Sequence, residues 1–371
     1  MMNKKPFIIA ELGTSHGGDP LKASELIHAA AEAGADCVKC QIIYADEILH
    51  PKTGMVKLPG GDIPLYETFK GLEQKPVFYE KMKESAEALG LLFLATPFGL
   101  KSAAELRALN PQAVKIASPE LNYTALLRET ASWGIDMFLS AGVSTLGDIE
   151  EALETVRSAR NSPQNPAANG RNAGICLLHC VTAYPAPEEE YKLRLLPHLG
   201  GIFSILVGIS DHSLDPVLVP VLGTALGAAA VEKHLCLSRS DPGLDDKIAL
   251  EFGDFARMVR VVRESASLER GEVIARMEDQ YGKERVEAVL GDGSKELAPS
   301  ERANYGRTNR SIHAVRDIAG DEILQRGMFA VLRTEKQLKP GLKPCWEEKI
   351  IGKRVKRAIP AGEGITLDDI W

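Results

Sequence analysis

Eight short apolar runs follow one another between residues 6 and 235, and most of them are separated by amphipathic segments. The runs are PFIIAEL, ADCVKCQII, LLFLAT, AVKIAS, DMFLSA, GICLLHC, SILVGIS and AAVEKHL. Runs of this length and composition are typical of buried strands, and the segments between them have helical spacing. Eight strand-helix units predict an α/β fold, a (β/α)8 barrel, with an open doubly wound sheet as the alternative.

The chain is longer than a barrel requires, since it has 371 residues and a barrel takes about 250. After a closing helix the sequence becomes polar through GDGSKELAPSERANYGRTN, and short apolar runs between Gly and Pro turns follow. We predict a barrel over 1–285, a linker over 286–308 and a small, mostly β module over 309–371. Two similar phrases, AVRDIAGDEILQRGMF and VKRAIPAGEGITLDDI, indicate a pseudo-repeat within the module.

The net charge of -7 argues against nucleic acid and anionic membrane as partners, since both favour a basic surface. No apolar run is long enough for a membrane span, and the N-terminus does not resemble a signal peptide. The six cysteines lie mostly inside apolar runs, which suits buried, reduced thiols. A cytoplasmic protein is therefore expected.

A long insertion, YADEILHPKTGMVKLPGGDIPLYETFKGLEQK, separates the second strand from its helix. A connection of this length at the C-terminal end of a barrel strand is typical of a lid or a substrate-binding wall.

Polar residues follow all eight predicted strands, and in a barrel these positions meet at the catalytic face. They are Glu11, Lys39, Gln41, Thr96, Lys115, Ser118, Glu120, Ser140, His179, Thr182, Tyr184, Ser210, Asp211, His212, Glu232, Lys233 and His234. Packing alone does not explain so many polar groups at equivalent positions.

Lys39 and Lys115 each follow a valine inside an apolar run, where an unpaired ammonium would cost several kcal/mol to bury. Together they predict an anion between them. The hydroxyls of Thr96, Ser118 and Ser210 are additional donors, so a phosphate or carboxylate fits best.

His212 and His234 end the seventh and eighth strands, which are neighbours about 5 Å apart in a barrel. A single histidine after a strand is more often a hydrogen-bonded core residue than a ligand, but two on adjacent strands can bind one ion. With Glu11 or Asp245 as oxygen neighbours, such a site favours Mn2+ or Mg2+ over structural zinc.

Several motifs closely resemble the sialic acid synthase family, the phosphoenolpyruvate-dependent nonulosonate synthases. They are FIIAELG, AGADCVKCQ, ATPF, VKIASPE, LLHCVTAYPAP, GISDHS, VEKHL and NRSI. The resemblance covers essentially the whole chain, including a C-terminal module similar to the family's antifreeze-like (SAF) domain.

The resemblance implies condensation of phosphoenolpyruvate with the open-chain aldehyde of an N-acetylmannosamine-type sugar, which yields a nine-carbon 2-keto acid and phosphate. It implies that His212 and His234 hold the metal and that Glu11 is a general base. The residues implied for phosphoenolpyruvate are Lys39, Thr96, Lys115, Ser118 and Ser210, with Ser140 and Thr182 as further substrate-binding residues. Those implied for the sugar are Gln41, Glu120, Tyr184 and Asp245. Arg310 is also implied as a substrate-binding residue that reaches into the barrel mouth of a partner subunit, which predicts a domain-swapped homodimer.

Two departures from the family pattern leave the sugar open. The phrase after the first strand is Ser15-His16-Gly17-Gly18 where the family has Asn-His-Asn-Gly, and Thr182 replaces an asparagine. The sugar could be N-acetylmannosamine, its 6-phosphate or a diacetamido sugar. Two other functions remain open: a metal-dependent barrel hydrolase, and a noncatalytic glycan-binding protein with the barrel as scaffold.

Overall fold

The computed structural model describes residues 5–58, 61–162, 173–335 and 337–371. The strands are β1 (Phe7–Gly13), β2 (Cys37–Ile42), β3 (Met55–Leu58), β4 (Gly61–Pro64), β5 (Leu92–Pro97), β6 (Ala113–Ile116), β7 (Asp136–Ser140), β8 (Ile175–His179), β9 (Leu206–Asp211), β10 (Ala230–His234), β11 (Arg310–Ala314) and β12 (Phe329–Arg333). The helices are α1 (Pro20–Glu32), α2 (Ala45–Ile48), α3 (Leu65–Leu72), α4 (Pro76–Ala88), α5 (Leu100–Ala108), α6 (Thr124–Ala131), α7 (Leu146–Arg160), α8 (Leu195–Phe203), α9 (Leu218–Ala225), α10 (Phe252–Ser265), α11 (Arg270–Tyr281) and α12 (Lys283–Leu290).

Eight strands form one parallel sheet in the order β5-β2-β1-β10-β9-β8-β7-β6. The first and last strands of this order, β5 and β6, lie side by side, so the sheet is a nearly closed barrel. Each of the eight apolar runs of the sequence supplies one of these strands. The predicted barrel is confirmed, and the open doubly wound sheet is excluded.

Side chains alternate between the inside of the barrel and the layer of helices around it, as strand geometry requires. Ile9, Cys37, Leu94 and Ala113 form a small apolar cluster inside the barrel. The intervening residues of β1 and β2, such as Ile8 and Val38, belong to the large core under the helices. Lys39 and Glu11 therefore point inward, above the interior cluster.

Sequence signals set the ends of the surrounding helices. Asp19 caps α1 by accepting a hydrogen bond from the Leu21 amide, and Pro20 occupies the first turn, where no amide donor is needed. Thr145 and Asp148 form a reciprocal capping box at the start of α7. Within the described residues, no helix combines the length and apolar character that a membrane crossing requires.

The insertion after β2 has a structure of its own. It contains α2, the antiparallel pair β3 and β4, and α3. A separate apolar cluster holds this segment, and its buried members are Ile43, Ile48, Leu49, Val56, Leu65 and Phe98. The segment also meets the C-terminal module, because Leu49 pairs with Arg333 in a parallel bridge.

The C-terminal module pairs β11 with β12 in antiparallel fashion, and isolated bridges join its remaining segments. Ile318 and Ile359 stand at corresponding positions of the two similar phrases, and each donates its amide to the carbonyl of the other at 2.9 Å. The two phrases therefore fold against each other, as the pseudo-repeat indicated.

Candidate active site

The register of the strands brings the predicted residues together at one end of the barrel. Glu11 lies beside Lys39 on β2 and beside His234 on β10. Glu232, which follows the same inward alternation as His234, lies beside Ser210 on β9. Residues from four adjacent strands thus face one mouth.

Two lysines and two glutamates form a buried network in this mouth. Lys39 pairs with Glu11, and its Nζ lies 3.8 Å from Oε1 of Glu232. Lys115 Nζ lies 3.3 Å from the same oxygen, and Ser210 Oγ donates to it at 2.8 Å. The anion that the lysines required is therefore supplied, in this structure, by the chain's own carboxylates.

The two lysines are compensated unequally. Burial lowers the pKa of Lys39, but Glu11 and Glu232 outweigh this effect and the pKa is raised overall. Burial also lowers the pKa of Lys115, and here Glu232 offsets it only in part, because Lys39 repels the second ammonium. Burial would raise the pKa of Glu232, but Lys115 and Lys39 bring it down to about 2. Lys115 is thus the amine with most to gain from a further anion.

Two predicted residues border this network. Gln41 Nε2 donates to Glu11 Oε1 at 3.1 Å, and Lys39 Nζ donates to Thr96 Oγ1 at 3.4 Å. Both contacts hold a charged side chain of the network in place, so Gln41 and Thr96 lie in the mouth beside the ion network.

A second pocket of hydroxyls lies next to Lys115. Ser118 Oγ contacts Cys180 Sγ at 3.1 Å and accepts the amide of Gly142 at 3.0 Å. Ser140 Oγ and Thr182 Oγ1 are buried and have no hydrogen-bond partner among the described residues. A Cβ on Gly142 would come within 2.0 Å of Thr182 Oγ1, so only glycine lets the chain approach so closely. These two buried hydroxyls therefore have unused hydrogen-bonding capacity.

Two linker residues reach this pocket, and sequence reasoning missed both. Lys295 Nζ donates to the Ala141 carbonyl at 3.2 Å, and burial lowers its pKa although Glu301 opposes the shift. Glu301 Oε1 accepts the amides of Val143 at 2.8 Å and of Thr182 at 2.6 Å. No local sequence pattern indicates these contacts, because more than a hundred residues of the chain separate the partners.

His212 and His234 stand close together, with ring centroids 5.7 Å apart. Nδ1 of His212 lies 2.8 Å from the Val181 carbonyl, which can only accept, so this nitrogen carries the proton and Nε2 presents its lone pair. Nδ1 of His234 is buried without a partner among the described residues. Burial, and then repulsion from His234, lower the pKa of His212 to about 4. The Tyr184 ring lies on His212, at 4.4 Å between centroids.

These two imidazoles fit a divalent metal. In His212, the hydrogen bond from Nδ1 to the Val181 carbonyl leaves the lone pair of Nε2 available to a metal. In His234, Nδ1 is buried and has no hydrogen-bond partner among the described residues. Among the described residues, no group of three or more His, Cys, Asp or Glu side chains has metal-binding geometry. A site with these two protein ligands would leave positions open for water and substrate.

Asp245 lies at the edge of the mouth rather than in the ion network. Its Oδ2 accepts the amide of Thr14 at 3.2 Å and the hydroxyl of Thr14 at 3.1 Å. This oxygen also fills the space beside Gly13, where a Cβ would approach it to 2.5 Å. Asp245 thus holds the loop after β1.

Lys233 and Asp211, named with the strand ends, point to the helix layer instead. Their side chains are 0% exposed, and Lys233 Nζ lies 2.5 Å from Asp211 Oδ2 and 2.5 Å from the Ser213 carbonyl. The pair joins β9 to β10 directly behind His212 and His234. His179 also takes no part in the mouth, since its Nε2 contacts the Tyr191 carbonyl at 2.6 Å.

Arg310 enters the mouth from the module of the same chain. Its Nε lies 2.9 Å from Glu120 Oε1, and Arg333 donates to the same oxygen at 2.6 Å through Nη2. The sequence placed Arg310 beside a barrel but expected the barrel of a partner subunit, and it did not point to Arg333.

A family model described as the NeuB family matches residues 26–273, and a SAF domain model matches residues 309–370. The chain belongs to the NeuB family. The spore coat polysaccharide biosynthesis protein SpsE of Bacillus subtilis is 33% identical over 98% of this chain and 93% of its own. The crystal structure of SpsE superposes with a TM-score of 0.80 at 32% identity, covering 99% of this chain and 95% of SpsE.

Two relatives that align with nearly the whole chain are named as synthases of sugar acids. The N,N'-diacetyllegionaminic acid synthase of Legionella pneumophila is 29% identical over 98% of this chain and 94% of its own. A pseudaminic acid synthase of Campylobacter jejuni is 30% identical over 99% of this chain and 97% of its own. These likenesses support an enzyme role in sugar acid biosynthesis for this NeuB-family chain.

Proposed function

We propose that this protein condenses phosphoenolpyruvate with the aldehyde of an N-acetylmannosamine-type sugar, giving a nine-carbon 2-keto acid and phosphate. The observation that carries the proposal is the close approach of an anion site to an imidazole pair. Ser210 Oγ lies 2.8 Å from Glu232 Oε1 and 3.4 Å from His212 Nε2. A reaction between an anionic and an aldehyde substrate requires two such sites in contact.

Phosphoenolpyruvate would bind where the cations and free hydroxyls are. Lys39 and Lys115 would exchange part of their contact with Glu232 for the substrate's carboxylate and phosphate. Lys295, Ser140 and Thr182 would add donors to the phosphate. Fixed donors of this kind stabilise charge as it moves, without reorganising during the reaction.

His212 and His234 would hold a divalent metal, Mn2+ or Mg2+, which when bound supplies Lewis-acid polarisation of the aldehyde oxygen. The protein's part is to orient the His212 imidazole through the Val181 carbonyl and to pack the tilted Tyr184 ring against it. Gln41, Glu120 and Asp245 would bind the sugar hydroxyls and amide from the rim of the mouth.

Bond formation begins when C3 of phosphoenolpyruvate attacks the sugar aldehyde carbon, and the aldehyde oxygen takes up a proton to become a hydroxyl. A water molecule then adds at C2, and phosphate departs with its bridging oxygen, which leaves the 2-keto acid. Glu11 would remove the proton of this water, since its carboxylate lies between Lys39 and Gln41 inside the mouth. The nearby ammonium groups would hold the departing phosphate.

A domain-swapped homodimer remains part of the proposal. The contacts of Arg310 with Glu120 are noncovalent, and the residues after α12 that lead to β11 form neither helix nor strand. The same interface could therefore form within one chain or between two exchanged chains. Light scattering after gel filtration would measure the mass, and a monomer would contradict the dimer.

The alternative of a barrel hydrolase finds less support. Such a hydrolase would need metal-binding histidines after β1. The histidine found there, His16, instead packs on Phe78, with ring centroids 4.9 Å apart. Its Nδ1 accepts the Gly18 amide at 2.9 Å. His16 is thus a buried loop residue, and burial lowers its pKa to about 4.

The test is to incubate the protein with phosphoenolpyruvate, Mn2+ and a panel of hexosamines, phosphorylated and neutral. We expect sugar-dependent phosphate release together with a product whose mass is that of a nine-carbon 2-keto acid. Phosphate release that no sugar stimulates would refute the proposal.

A further inference from the structure

The connecting segment, residues 291–309 between α12 and β11, lies against the loop that follows β7. Lys295 Nζ donates to the carbonyl of Ala141, at the start of this loop, at 3.2 Å. Tyr305 donates its hydroxyl to Asp148 Oδ2 at 2.8 Å, in the capping box that begins α7. The segment therefore contacts both ends of one loop at the barrel mouth.

Val143 lies in the middle of this loop and adopts an unfavourable conformation. Its φ is 42°, in the left-handed region that a β-branched residue rarely occupies. Its amide donates to Glu301 Oε1 at 2.8 Å, and its carbonyl accepts a hydrogen bond from Asn309 Nδ2 at 3.2 Å. Strained residues persist only where their surroundings fix them. Two side chains of the connecting segment supply that support.

Glu301 extends the same support to the next strand. The oxygen that accepts the Val143 amide, Oε1, also accepts the amide of Thr182, in the loop after β8, at 2.6 Å. Oε2 accepts the amide of Ala298 at 3.3 Å, within the connecting segment itself. Only 1% of Glu301 is exposed. One buried carboxylate thus joins three main-chain segments, so it can affect a ligand mainly through the residues that it holds.

The loops that Glu301 joins carry the unpartnered hydroxyls of the mouth. Ser140 ends β7 and Thr182 follows β8, and neither hydroxyl has a hydrogen-bond partner among the described residues. Gly142 lies between them, because a Cβ there would come within 2.0 Å of Thr182 Oγ1 and 3.0 Å of Glu301 Oε1. The Gly142 amide also donates to Ser118 Oγ at 3.0 Å. The packing around Glu301 and the arrangement of these hydroxyls therefore depend on each other.

We propose that Glu301 is a positioning residue for the phosphate of phosphoenolpyruvate, because it fixes the main chain that carries the hydroxyls of Ser140 and Thr182. The inference rests on the proposed function, which makes the phosphate the acceptor of these hydroxyls. It makes the connecting segment a working part of the anion site as well as the tether of the C-terminal module.

Glu301 could also act through its charge, which favours the ammonium form of Lys295. The two roles respond differently to substitution. Glu301→Gln keeps an oxygen that accepts the amides of Val143 and Thr182 but removes the charge, whereas Glu301→Ala removes both. A positioning role therefore predicts that the glutamine variant is rescued and the alanine variant is not.

Calorimetric titration of phosphoenolpyruvate and of Mn2+, without sugar or turnover, tests the positioning role. Glu301→Ala should raise the Kd for phosphoenolpyruvate by about tenfold or more, because fixed hydrogen bonds to a charged group are lost, and Glu301→Gln should stay within about threefold of the wild type. The Kd for Mn2+ should stay within about twofold in both. Equal losses in the two variants, or a parallel rise of both constants in Glu301→Ala, would overturn the proposal.

A double-mutant cycle with Thr182→Val shows whether Glu301 acts through this hydroxyl. Thr182→Val removes the hydroxyl with little change of shape and should itself raise the Kd for phosphoenolpyruvate. Adding Glu301→Ala should then raise the Kd by a smaller factor than it does in the wild type, because the group that Glu301 positions is already absent. Independent, multiplying effects would overturn the proposal.

Glu296→Ala is the matched control, since Glu296 belongs to the same segment but 62% of its side chain is exposed. It should change neither Kd. If Glu301→Ala does not fold, Asn309→Ala takes its place, because it removes the hydrogen bond to the Val143 carbonyl. It should raise the Kd for phosphoenolpyruvate about threefold or more and leave that for Mn2+ unchanged. Wild-type affinity for phosphoenolpyruvate in that variant would overturn the proposal.

The two proposals fail in different ways. If the wild type binds no phosphoenolpyruvate, the proposed function is wrong. If the wild type binds it and Glu301→Ala binds it equally well, only the role of Glu301 is wrong.

Discussion

Lys115 and Glu232 form an ion pair inside the barrel, with 3.3 Å between Nζ and Oε1 and only 3% and 4% of the two side chains exposed. Glu232 also lies near Lys39, so one carboxylate serves two ammonium groups. A substrate anion that binds here must compete with Glu232. Under the proposed function, the pair would therefore set how strongly phosphoenolpyruvate is held.

Lys115→Met should weaken phosphoenolpyruvate binding by about 1.5–3 kcal/mol, since it removes a charged hydrogen-bond donor, and the KM should rise roughly tenfold to hundredfold. Glu232 keeps Lys39 and Ser210 as partners in this variant, so the fold should persist. Initial rates at saturating sugar measure the change. Lys83→Met, in the helix pair of Lys83 with Glu87, is the control, and an unchanged KM in Lys115→Met would contradict the role.

The barrel and much of its mouth could be predicted because they depend on local periodicity. Strand alternation places Lys39 inside, and the same rule applied to β10 gives Glu232 and His234 inward and Lys233 outward. Lys233 could thus have been separated from the site by sequence alone. The alternation does not say that Glu232 would neutralise both lysines, because that depends on side-chain directions across the barrel.

The contributions of the linker and module could not be predicted in the same way. Glu301 binds the amides of Val143 and Thr182, and Val143 adopts a left-handed conformation, with φ 42°, that valine rarely takes. Nothing near Glu301 in sequence indicates this contact. Arg333 was missed for a similar reason. Its contact with Glu120 depends on the pairing of β12 with β11 and on the docking of the module against the barrel.

His212→Ala and His234→Ala should each weaken Mn2+ binding by more than about tenfold, because a metal ligand contributes at least as much as the outer hydrogen bonds that support it. Titration calorimetry with Mn2+ measures this without turnover. His28→Ala removes an exposed histidine on α1 and should bind Mn2+ like the wild type. Wild-type affinity in either variant would remove that histidine from the metal site.

Glu120→Gln should loosen the module, because Arg310 and Arg333 would lose the carboxylate charge they share. Breaking a buried ion pair costs roughly 3–5 kcal/mol, so the thermal midpoint should fall and proteases should cleave faster between α12 and β11. Glu348→Gln breaks only the exposed pair with Arg326 and is the control. Equal cleavage rates in the two variants would show that Glu120 does not hold the module.

Lys233→Met should destabilise the barrel by about 3–5 kcal/mol, because it leaves Asp211 as a buried, uncompensated carboxylate. Adding Asp211→Asn should restore part of this loss, since the remaining charge is removed. Urea unfolding of the wild type, the single variant and the double variant gives the three free energies. A single variant within about 1 kcal/mol of the wild type would mean that the pair contributes little.

Stability should fall as the pH drops from 7 to 4, because buried histidines stay neutral in the folded protein. Burial lowers the pKa of His179 to about 3 and that of His313 to about 4, against an ordinary value of 6.5. Below pH 6.5 the unfolded chain therefore takes up protons that the folded chain does not, which favours unfolding until the folded-state pKa is reached. The free energy of unfolding, from urea titrations at pH 7, 6, 5 and 4, should decrease steadily by a few kcal/mol in all. His313→Gln should flatten this dependence, and a free energy that does not change between pH 7 and pH 5 would contradict the neutral, buried histidines.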